Sequence, residues 1–357
     1  MKVFDFMPYF AKEMRNALIL LVVVSLFACL SFVYSRNASV NTSSQLSVAF
    51  YNLENLYDII DDSTHNDDDF TENGQYKWSK SRFNDKILNL SKVISQMIDG
   101  EAPDVLGVCE LESASAFSQL LSSKSLKNQY GFVHYNSPDE RGVDVAFAYK
   151  TSSVKVLSSQ NYPVKLSLDS NDKTRDILWV KTLSLKNNDT IHFIICHFPS
   201  RRGGLAASSQ NRADAANTCL KIIKEKIQPK SQNLVIMGDF NDQPWDSSMM
   251  KILGAHSVNK YPDADLINLM FELPDKNSGS YCFRGQWERI DQIIISHALR
   301  NGSGTDYLPG SVNVFKKDWM LQSGKYKGQP FRNFSGSQWL NGYSDHLPVS
   351  IKLHSIN

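Results

Sequence analysis

The sequence predicts an α+β fold, in which many strands and few helices support a site built where strands end. Three observations support this prediction. Short apolar runs with strand periodicity recur along the chain, only two segments show clear helical periodicity, and reactive side chains follow the apolar runs directly. With 357 residues, of which 42% are hydrophobic, the chain can bury one large core or two modest ones.

The first 45 residues differ in composition from the rest of the chain. Lys12 and Arg15 precede a long apolar run, and a Ser- and Asn-rich segment follows it. A basic flank before an apolar run is typical of an export signal or a membrane anchor. We therefore expect residues 1–35 to be a signal peptide, or alternatively an uncleaved anchor, and residues 36–45 to be a polar linker. Residues 46–357 would form a single domain that is secreted, periplasmic or anchored outside the cytoplasm.

Charge and cysteine content exclude two classes of protein. The formal net charge is +1, and removal of residues 1–35 takes away three basic and two acidic residues, so the mature charge is 1 − (3 − 2) = 0. This balance excludes a protein that coats nucleic acid through bulk charge, so any such contact must be local. The four remaining cysteines lack CxxC spacing and do not suggest a zinc site. Cys109 and Cys196 end apolar runs and are expected to be buried in strands.

The apolar periodicity places the elements in order. Strands are predicted at residues 46–51, 104–108, 131–135, 143–149, 190–197, 233–237, 290–295 and 347–353. Helices are predicted at 82–98 and 211–227, where apolar residues recur on one face. The acidic segment 58–69 lacks EF-hand spacing and is expected to be a solvated loop. For the aromatic and basic segment 301–343, packing on the domain, stacking on nucleobases and membrane contact all remain open.

Two apolar strands deliver oxygen atoms at their ends. Glu110 ends the run DVLGVCE, where a carboxylate must be solvated, paired or bound to a metal. Mg²⁺ prefers such hard oxygen ligands. Asp239 and Asn241 follow a strand in GDFND, where Gly238 permits a close backbone approach, so the pair could orient a water and a phosphate oxygen. An ordinary Asx turn explains this motif equally well.

A histidine and two carboxylates lie near the last two strands. Asp291 is inside the apolar run RIDQIII, and Asp345 and His346 are adjacent in SDH. Adjacent side chains point to opposite faces of an extended chain, so Asp345 and His346 must serve different partners. We expect Asp291 to bind His346, to fix its tautomer and to favour its protonated form.

Another strand ends in a histidine that two arginines follow. His197 closes HFIICH, and Arg201 and Arg202 come shortly after it, before two glycines. Cations after a strand-end histidine are typical of a corner that faces an anion, so both arginines are predicted to bind substrate. His192, earlier in the same strand, is expected to be structural.

Taken in chain order, seven motifs resemble those of the endonuclease/exonuclease/phosphatase superfamily. They are FYNLEN at 50–55, DVLGVCE ending at Glu110, RGVDVAFAY at 141–149, CHFPS around His197, GDFND, RIDQIIIS and SDH. Enzymes similar to deoxyribonuclease I, AP endonucleases, bacterial sphingomyelinases and inositol polyphosphate phosphatases belong to this superfamily. The resemblance implies a four-layer α/β sandwich, in which two packed, mostly antiparallel sheets are flanked by helices, with the site at one end.

The resemblance also implies a role for each matching residue. Glu110 would be the principal Mg²⁺ ligand, with Mn²⁺ as a substitute ion. Asn52 and Asp345 would be further ligands or would orient the ligands. Asp144 would orient His197.

The remaining implied roles concern the phosphate. Asp239 and Asn241 would position the phosphate and the attacking water. His346, held by Asp291, and His197 would contact the phosphate and support charge or proton transfer.

These roles predict an exported Mg²⁺-dependent phosphodiesterase that attacks its substrate in line with water. DNA is the leading substrate, and the protein is expected to be a monomer with possible membrane association through its N-terminal segment. A phospholipid or sphingomyelin phosphodiesterase and a phosphomonoesterase are alternatives. A non-catalytic surface binding protein ranks last, because each motif position carries a chemically competent residue.

Overall fold

The computed structural model describes residues 45–169, 171–275 and 277–356. The predicted signal peptide or anchor and nearly all of the predicted linker lie outside the described residues. Residues 46–357 form one compact unit. In the described part of the chain, no helix combines the length and the apolar character needed to cross a membrane.

The strands and helices have the following bounds. The first eight strands are β1 (Gln45–Leu56), β2 (Val105–Leu111), β3 (Tyr130–His134), β4 (Asp144–Lys150), β5 (Val154–Tyr162), β6 (Ile177–Ser184), β7 (Thr190–His197) and β8 (Asn233–Asp239). They are followed by β9 (Ala255–His256), β10 (Leu266–Asn268), β11 (Tyr281–Phe283), β12 (Gln286–Glu288), β13 (Asp291–Ser296), β14 (Gly304–Tyr307), β15 (Asn313–Val314), β16 (Phe334–Ser335), β17 (Gln338–Trp339) and β18 (Val349–Ile356). The α-helices are α1 (Lys80–Ile94), α2 (Ala114–Leu121) and α3 (Ser209–Lys226).

These strands form two seven-stranded sheets. The first has the order β14-β18-β1-β2-β4-β3, with β15 also paired to β18, and the second has the order β5-β6-β7-β8-β13-β10-β9. Most pairs are antiparallel, but β1 with β2, β7 with β8 and β9 with β10 are parallel. The pairs β11–β12 and β16–β17 are separate hairpins.

The sheets pack face to face because successive side chains on a strand point to opposite sides. On β1, Phe50 enters the core between the sheets and Tyr51 enters the core beneath α1 and α2. On β7, Phe193 faces the first sheet and Ile194 faces α3. The layers therefore follow the order helix, sheet, sheet, helix. The predicted four-layer sandwich is confirmed.

Each strand and helix predicted from periodicity is present, with ends displaced by a few residues. Among the strands and α-helices of five or more residues, periodicity misses β5, β6 and α2. The side chains of β5 are mostly exposed or half-buried at the sheet edge, so the strand carries little apolar signal. Helix α2 has only eight residues, too few to show a helical repeat.

The aromatic and basic segment 301–343 packs onto the domain. Trp319, Trp339 and Tyr343 are partly buried against the core beneath α1. The Lys92 ammonium of α1 lies 4.2 Å from the centroid of the Trp319 ring. This packing leaves these rings engaged with the protein, which favours the first of the three interpretations of the segment.

Candidate active site

Sheet register gathers the candidate residues at one edge of the sandwich. Because β7 and β8 are parallel, their carboxyl ends coincide and His197 pairs with Asp239. Strand β13 runs the other way and begins there, which places Asp291 beside Asp239. In the first sheet, the parallel pair β1 and β2 places Asn52 beside Cys109, the residue before Glu110.

Glu110 faces the site because β2 is irregular at that point. The pairing with β4 is interrupted between Cys109 and Leu111, and Glu110 has a φ of 59°. A bulge of this kind redirects one side chain, and its left-handed backbone is typical of functional positions. The carboxylate accepts hydrogen bonds from the Asn55 backbone N–H at 3.0 Å and from Asn52 Nδ2 at 3.3 Å.

Asp239 lies at the centre of the site. Its Oδ2 accepts a hydrogen bond from Asn52 Nδ2 at 3.2 Å and lies 3.8 Å from His197 Nε2 and 3.9 Å from His346 Nε2. Burial raises the pKa of Asp239 to about 7, and the negative charges of Asp291 and Glu110 act in the same direction, against the opposing effect of His346.

His346 has the partner that the sequence predicts. Its Nδ1 lies 2.7 Å from Asp291 Oδ2, and the Tyr281 ring covers the imidazole at a centroid distance of 4.7 Å. Burial opposes a charge on this imidazole, but Asp291 and the nearby carboxylates of Asp239 and Asp345 outweigh it and hold the pKa of His346 well above its ordinary value. His346 is therefore a cation at neutral pH.

His197 has the opposite environment. Its buried Nδ1 has no hydrogen-bond partner among the described residues. Burial lowers the pKa of His197 well below its ordinary value, and the nearby cations Arg175, Arg141 and His346 lower it further. His197 is therefore a neutral imidazole beside Asp239.

The expected contact between Asp144 and His197 requires correction. Asp144 Oδ2 lies 2.8 Å from His134 Nε2, and its Oδ1 accepts the Ser137 backbone N–H at 2.8 Å. Strand β4 turns this carboxylate toward β3, so both oxygens are engaged away from His197. His192 is structural, as predicted, because it is buried and its Nδ1 accepts a hydrogen bond from Trp179 Nε1.

The two other predicted metal-site residues already have protein partners. Asn52 Oδ1 accepts the Glu54 backbone N–H at 2.9 Å, so the donor side of the amide faces Glu110 and Asp239. This geometry suits the ligand-orienting role that the resemblance allows. Asp345 Oδ2 accepts a hydrogen bond from Arg332 at 2.6 Å. Its role as a ligand stays a prediction.

The two arginines that follow His197 differ in their surroundings. Arg201 donates to the Asn241 carbonyl at 2.6 Å and to both carboxylate oxygens of Glu288 at 2.9 and 3.0 Å. Asn241 itself has a φ of 50° and donates through Nδ2 to the Phe198 carbonyl. Arg201 thus supports the GDFND loop, and Arg202 is exposed at the cavity wall. Substrate binding by both arginines remains a prediction.

A cavity of about 880 Å³ opens over these residues. Its lining includes Glu110, Asp239, His346 and Asp345, together with cations that sequence reasoning misses, notably Arg175 and Lys173. Arg175 is buried and binds Asp139 at 3.1 Å, so only the folded chain brings it beside His197. In sequence it is an isolated arginine before a strand, with no motif signal.

The site contains groups of side chains that could hold a metal ion. Asp239 shares one cluster of ligand atoms within 4.8 Å with Asp291 and His346, and a second one with Cys109 and His197. Because His346 is a cation, the oxygen donors nearest the cavity are Asp239 and Glu110, whose carboxylates are bridged by Asn52 Nδ2. Asp291 Oδ1 is buried without a hydrogen-bond partner among the described residues. Cys109 is fully buried, and burial raises the pKa of its thiol well above its ordinary value. Crowded carboxylates with an unpartnered buried oxygen fit an oxygen-bound cation.

Solved structures share this fold at low sequence identity. A humanized D. rerio TDP2 has a TM-score of 0.55 and 15% identity, covering 87% of this chain and 99% of that one. A mannosyl-6-phosphatase from Bacteroides thetaiotaomicron has a TM-score of 0.56 and 17% identity, covering 86% and 99%. The human Nocturnin catalytic domain has a TM-score of 0.52 and 14% identity, covering 87% and 94%. No curated protein sequence matches the chain.

Sequence comparison extends beyond the shared fold. The profile of the Endonuclease/Exonuclease/phosphatase family matches residues 47–355, which include every candidate site residue described above. The chain therefore belongs to the endonuclease/exonuclease/phosphatase family, whose members are hydrolases that act on phosphate ester bonds.

Proposed function

We propose that this protein is an exported, Mg²⁺-dependent phosphodiesterase whose substrate is DNA. The observation that carries the proposal is the geometry at Asp239, where His197 Nε2 and His346 Nε2 lie 3.8 and 3.9 Å from one carboxylate oxygen, in a cavity that Glu110 also lines. Such a pair can stabilise charge on a phosphate oxygen on one side and accept a proton on the other.

Glu110 and Asp239 would hold the metal. Both offer carboxylate oxygens, which Mg²⁺ and Mn²⁺ prefer over sulfur or nitrogen. Asn52 donates to both carboxylates and would keep them in place. A bound divalent cation would stabilise the negative charge that grows on the phosphate oxygens during attack.

The chain's own groups would bind and orient the reactants. Protonated His346, fixed by Asp291, would donate a hydrogen bond to a phosphate oxygen and stabilise its charge. Asp239 would align the attacking water. Its Oδ1 accepts a hydrogen bond from the Asn241 backbone N–H at 2.9 Å. Neutral His197 lies 3.8 Å from the same carboxylate and would bind the water or accept its proton.

Two further observations support the choice of DNA and of export. A D. rerio TDP2 with this fold has been solved with a single strand DNA product, at 16% identity and a TM-score of 0.53. Lys12 and Arg15 before the apolar N-terminal run support export. The balanced net charge predicts weak, salt-sensitive binding of DNA.

A substrate panel tests the proposal. The mature chain is incubated with plasmid DNA, sphingomyelin vesicles and inositol phosphates, each with Mg²⁺ and with EDTA. We expect Mg²⁺-dependent cleavage of DNA that EDTA abolishes. Cleavage of lipid without cleavage of DNA would overturn the substrate while leaving the family chemistry intact.

Glu110→Gln tests the metal site directly. We expect a loss of activity on the order of 10²-fold or more, together with weaker Mg²⁺ binding by calorimetry. Glu112→Gln is the matched control, since Glu112 lies two residues away and its carboxylate accepts the Asp58 backbone N–H. Burial raises the pKa of Glu112 to about 8, so Gln resembles its neutral form and should preserve activity. Full activity in Glu110→Gln would contradict the proposed role.

A phosphomonoester is the second candidate substrate. It is favoured by the concave shape of the cavity and by its several cations, Arg141, Lys173, Arg175 and Arg202, which suit the dianion of a terminal phosphate. The inositol phosphate arm of the panel distinguishes it from the diester, because a monoesterase releases inorganic phosphate and leaves plasmid DNA intact.

A further inference from the structure

One wall of the cavity is the hairpin of β11 and β12, whose two faces have different surroundings. Strands β11 and β12 are joined by Arg284 and Gly285, both with positive φ of 50° and 81°, as a tight two-residue turn requires. Side chains alternate along each strand, so Tyr281 and Phe283 share one face and line the cavity. Trp287 packs against the core beneath the first sheet.

The hairpin is fixed to the catalytic edge from both of its strands. The Tyr281 ring lies against His346, and the Leu347 backbone N–H donates to the Ser280 carbonyl at 2.7 Å. On the other strand, Glu288 is bound by Arg201 at 2.9 Å. These contacts hold the hairpin rigid relative to the phosphate site, so a ligand that binds to it meets a preorganised surface.

Phe283 is 51% exposed at this position. Among the exposed aromatic side chains in the described ranges, Phe283 is the one that lines the cavity. Scattered exposed apolar residues are common on proteins and usually need no explanation. Phe283 differs because it shares a cavity with Asp239 and His346 and is two residues along β11 from Tyr281, whose ring contacts His346. A group attached to a bound phosphate can therefore extend toward its ring. The Arg284 guanidinium, 5.1 Å from the ring centroid, adds positive charge there.

We propose that Phe283 is a specificity-determining residue on which the base of a nucleotide next to the scissile phosphate stacks. An aromatic face binds any nucleobase without reading its sequence, and stacking of one base contributes about 10-fold to affinity. The inference rests on the proposed phosphodiesterase function and narrows its substrate to diesters that carry at least one base beside the cleaved bond.

Dinucleotides with one scissile bond test this inference. The three substrates are thymidylyl-thymidine and two analogues in which either the 5′ or the 3′ nucleoside is replaced by a base-free tetrahydrofuran residue. Cleavage is followed by chromatography, and kcat/KM is measured for the wild type, Phe283→Ala, Phe283→Trp and Tyr326→Ala. Tyr326 is the matched control, because it is 45% exposed but does not line the cavity.

We expect the wild type to prefer thymidylyl-thymidine over one of the analogues by about 10-fold. Phe283→Ala should remove most of this preference, Phe283→Trp should keep it, and Tyr326→Ala should leave all three rates unchanged. If Phe283→Ala cleaves the three substrates with the same ratios of kcat/KM as the wild type, the inference is overturned and the proposed function is unaffected. Failure of the wild type to cleave any of them, while it cleaves plasmid DNA, would overturn the inference alone, and failure on plasmid DNA as well would overturn the proposed function together with it.

A lipid surface is the competing occupant of this exposed ring. Binding of the same variants to sphingomyelin vesicles is therefore measured in parallel. Loss of vesicle binding in Phe283→Ala, with unchanged dinucleotide ratios, would assign the ring to a membrane and contradict base stacking.

Discussion

Two histidines in one cavity are driven to opposite charge states. His197 and His346 are each 5% exposed, and each places its Nε2 within 4 Å of the same oxygen of Asp239. They differ at Nδ1, which faces Asp291 in His346 and has no hydrogen-bond partner among the described residues in His197. Burial disfavours charge on both rings, so the group at Nδ1 and the surrounding charges decide the outcome.

The comparison shows how one site can provide both a cation and a neutral base at the same pH. Carboxylates of Asp291, Asp239 and Asp345 surround His346, whereas arginines lie near His197. Each pKa is shifted away from neutrality, in opposite directions. The two imidazoles should therefore keep their opposite charge states over a wide pH range, with an alkaline limit set by His346. On the acid side, Asp239, whose pKa burial raises to about 7, takes up a proton before His197 does.

Asp239→Asn should have the largest effect, because Asp239 is the residue that both histidines share. We expect kcat to fall on the order of 10³-fold, since the substitution removes a proposed metal ligand and the group that aligns the water. The measurement is DNA cleavage with Mg²⁺, with the melting temperature as the test for intact folding. A loss of less than tenfold in a folded variant would mean that the two histidines do not act through Asp239.

Asp291→Asn should make the charge state of His346 resemble that of His197. Without the carboxylate charge, burial would lower the pKa of His346, so the imidazole would lose its proton as pH rises through a lower value. We expect about 10²-fold lower kcat at neutral pH and an alkaline limit displaced toward lower pH.

The titration of His346 by NMR supplies the direct readout of this prediction. Asp306→Asn is the matched control, because Asp306 is a buried carboxylate on β14 that accepts the Gly302 backbone N–H and does not line the cavity. It should leave the His346 titration unchanged. An unaltered His346 titration in Asp291→Asn would refute the explanation given for its charge.

The pairing of Asp291 with His346 could be predicted from the sequence, whereas the state of His197 could not. Asp291 interrupts an apolar run, and a carboxylate there needs a cation. His197 depends on Arg175, which is far from any motif and reaches the site only through the packing of the second sheet. The predicted contact between Asp144 and His197 proved wrong. Because β3 and β4 pair, Asp144 binds His134 instead.

The geometry of the proposed metal site could likewise be predicted only in part from the sequence. Apolar strands that end in polar residues predicted which residues meet, because parallel register aligns strand ends. The bulge that redirects Glu110 has no local signal, since Glu110 is neither glycine nor asparagine, the residues that favour positive φ. The contact between the Tyr281 and His346 rings likewise joins two residues that are 65 positions apart in the sequence.

Arg141→Gln should have the smallest effect and should act through the charge near His197. Arg141 is a smaller cause of the low pKa of His197 than burial and Arg175, and its side chain is 46% exposed, so the substitution should be tolerated. Removing this cation raises the pKa of His197 toward its ordinary value, so the imidazole becomes protonated at a higher pH. Activity should then fall a few-fold on the acid side, where protonation of His197 adds to that of Asp239, and stay unchanged on the alkaline side.

The measurement is kcat/KM against pH for Arg141→Gln and Arg141→Lys, where Lys keeps the charge. An acid limit that moves upward in Gln but not in Lys would show that charge near His197, rather than shape, sets its neutral state. If both variants lose activity equally at all pH values, Arg141 acts by binding substrate, and the neutrality of His197 must come from burial and Arg175 without it.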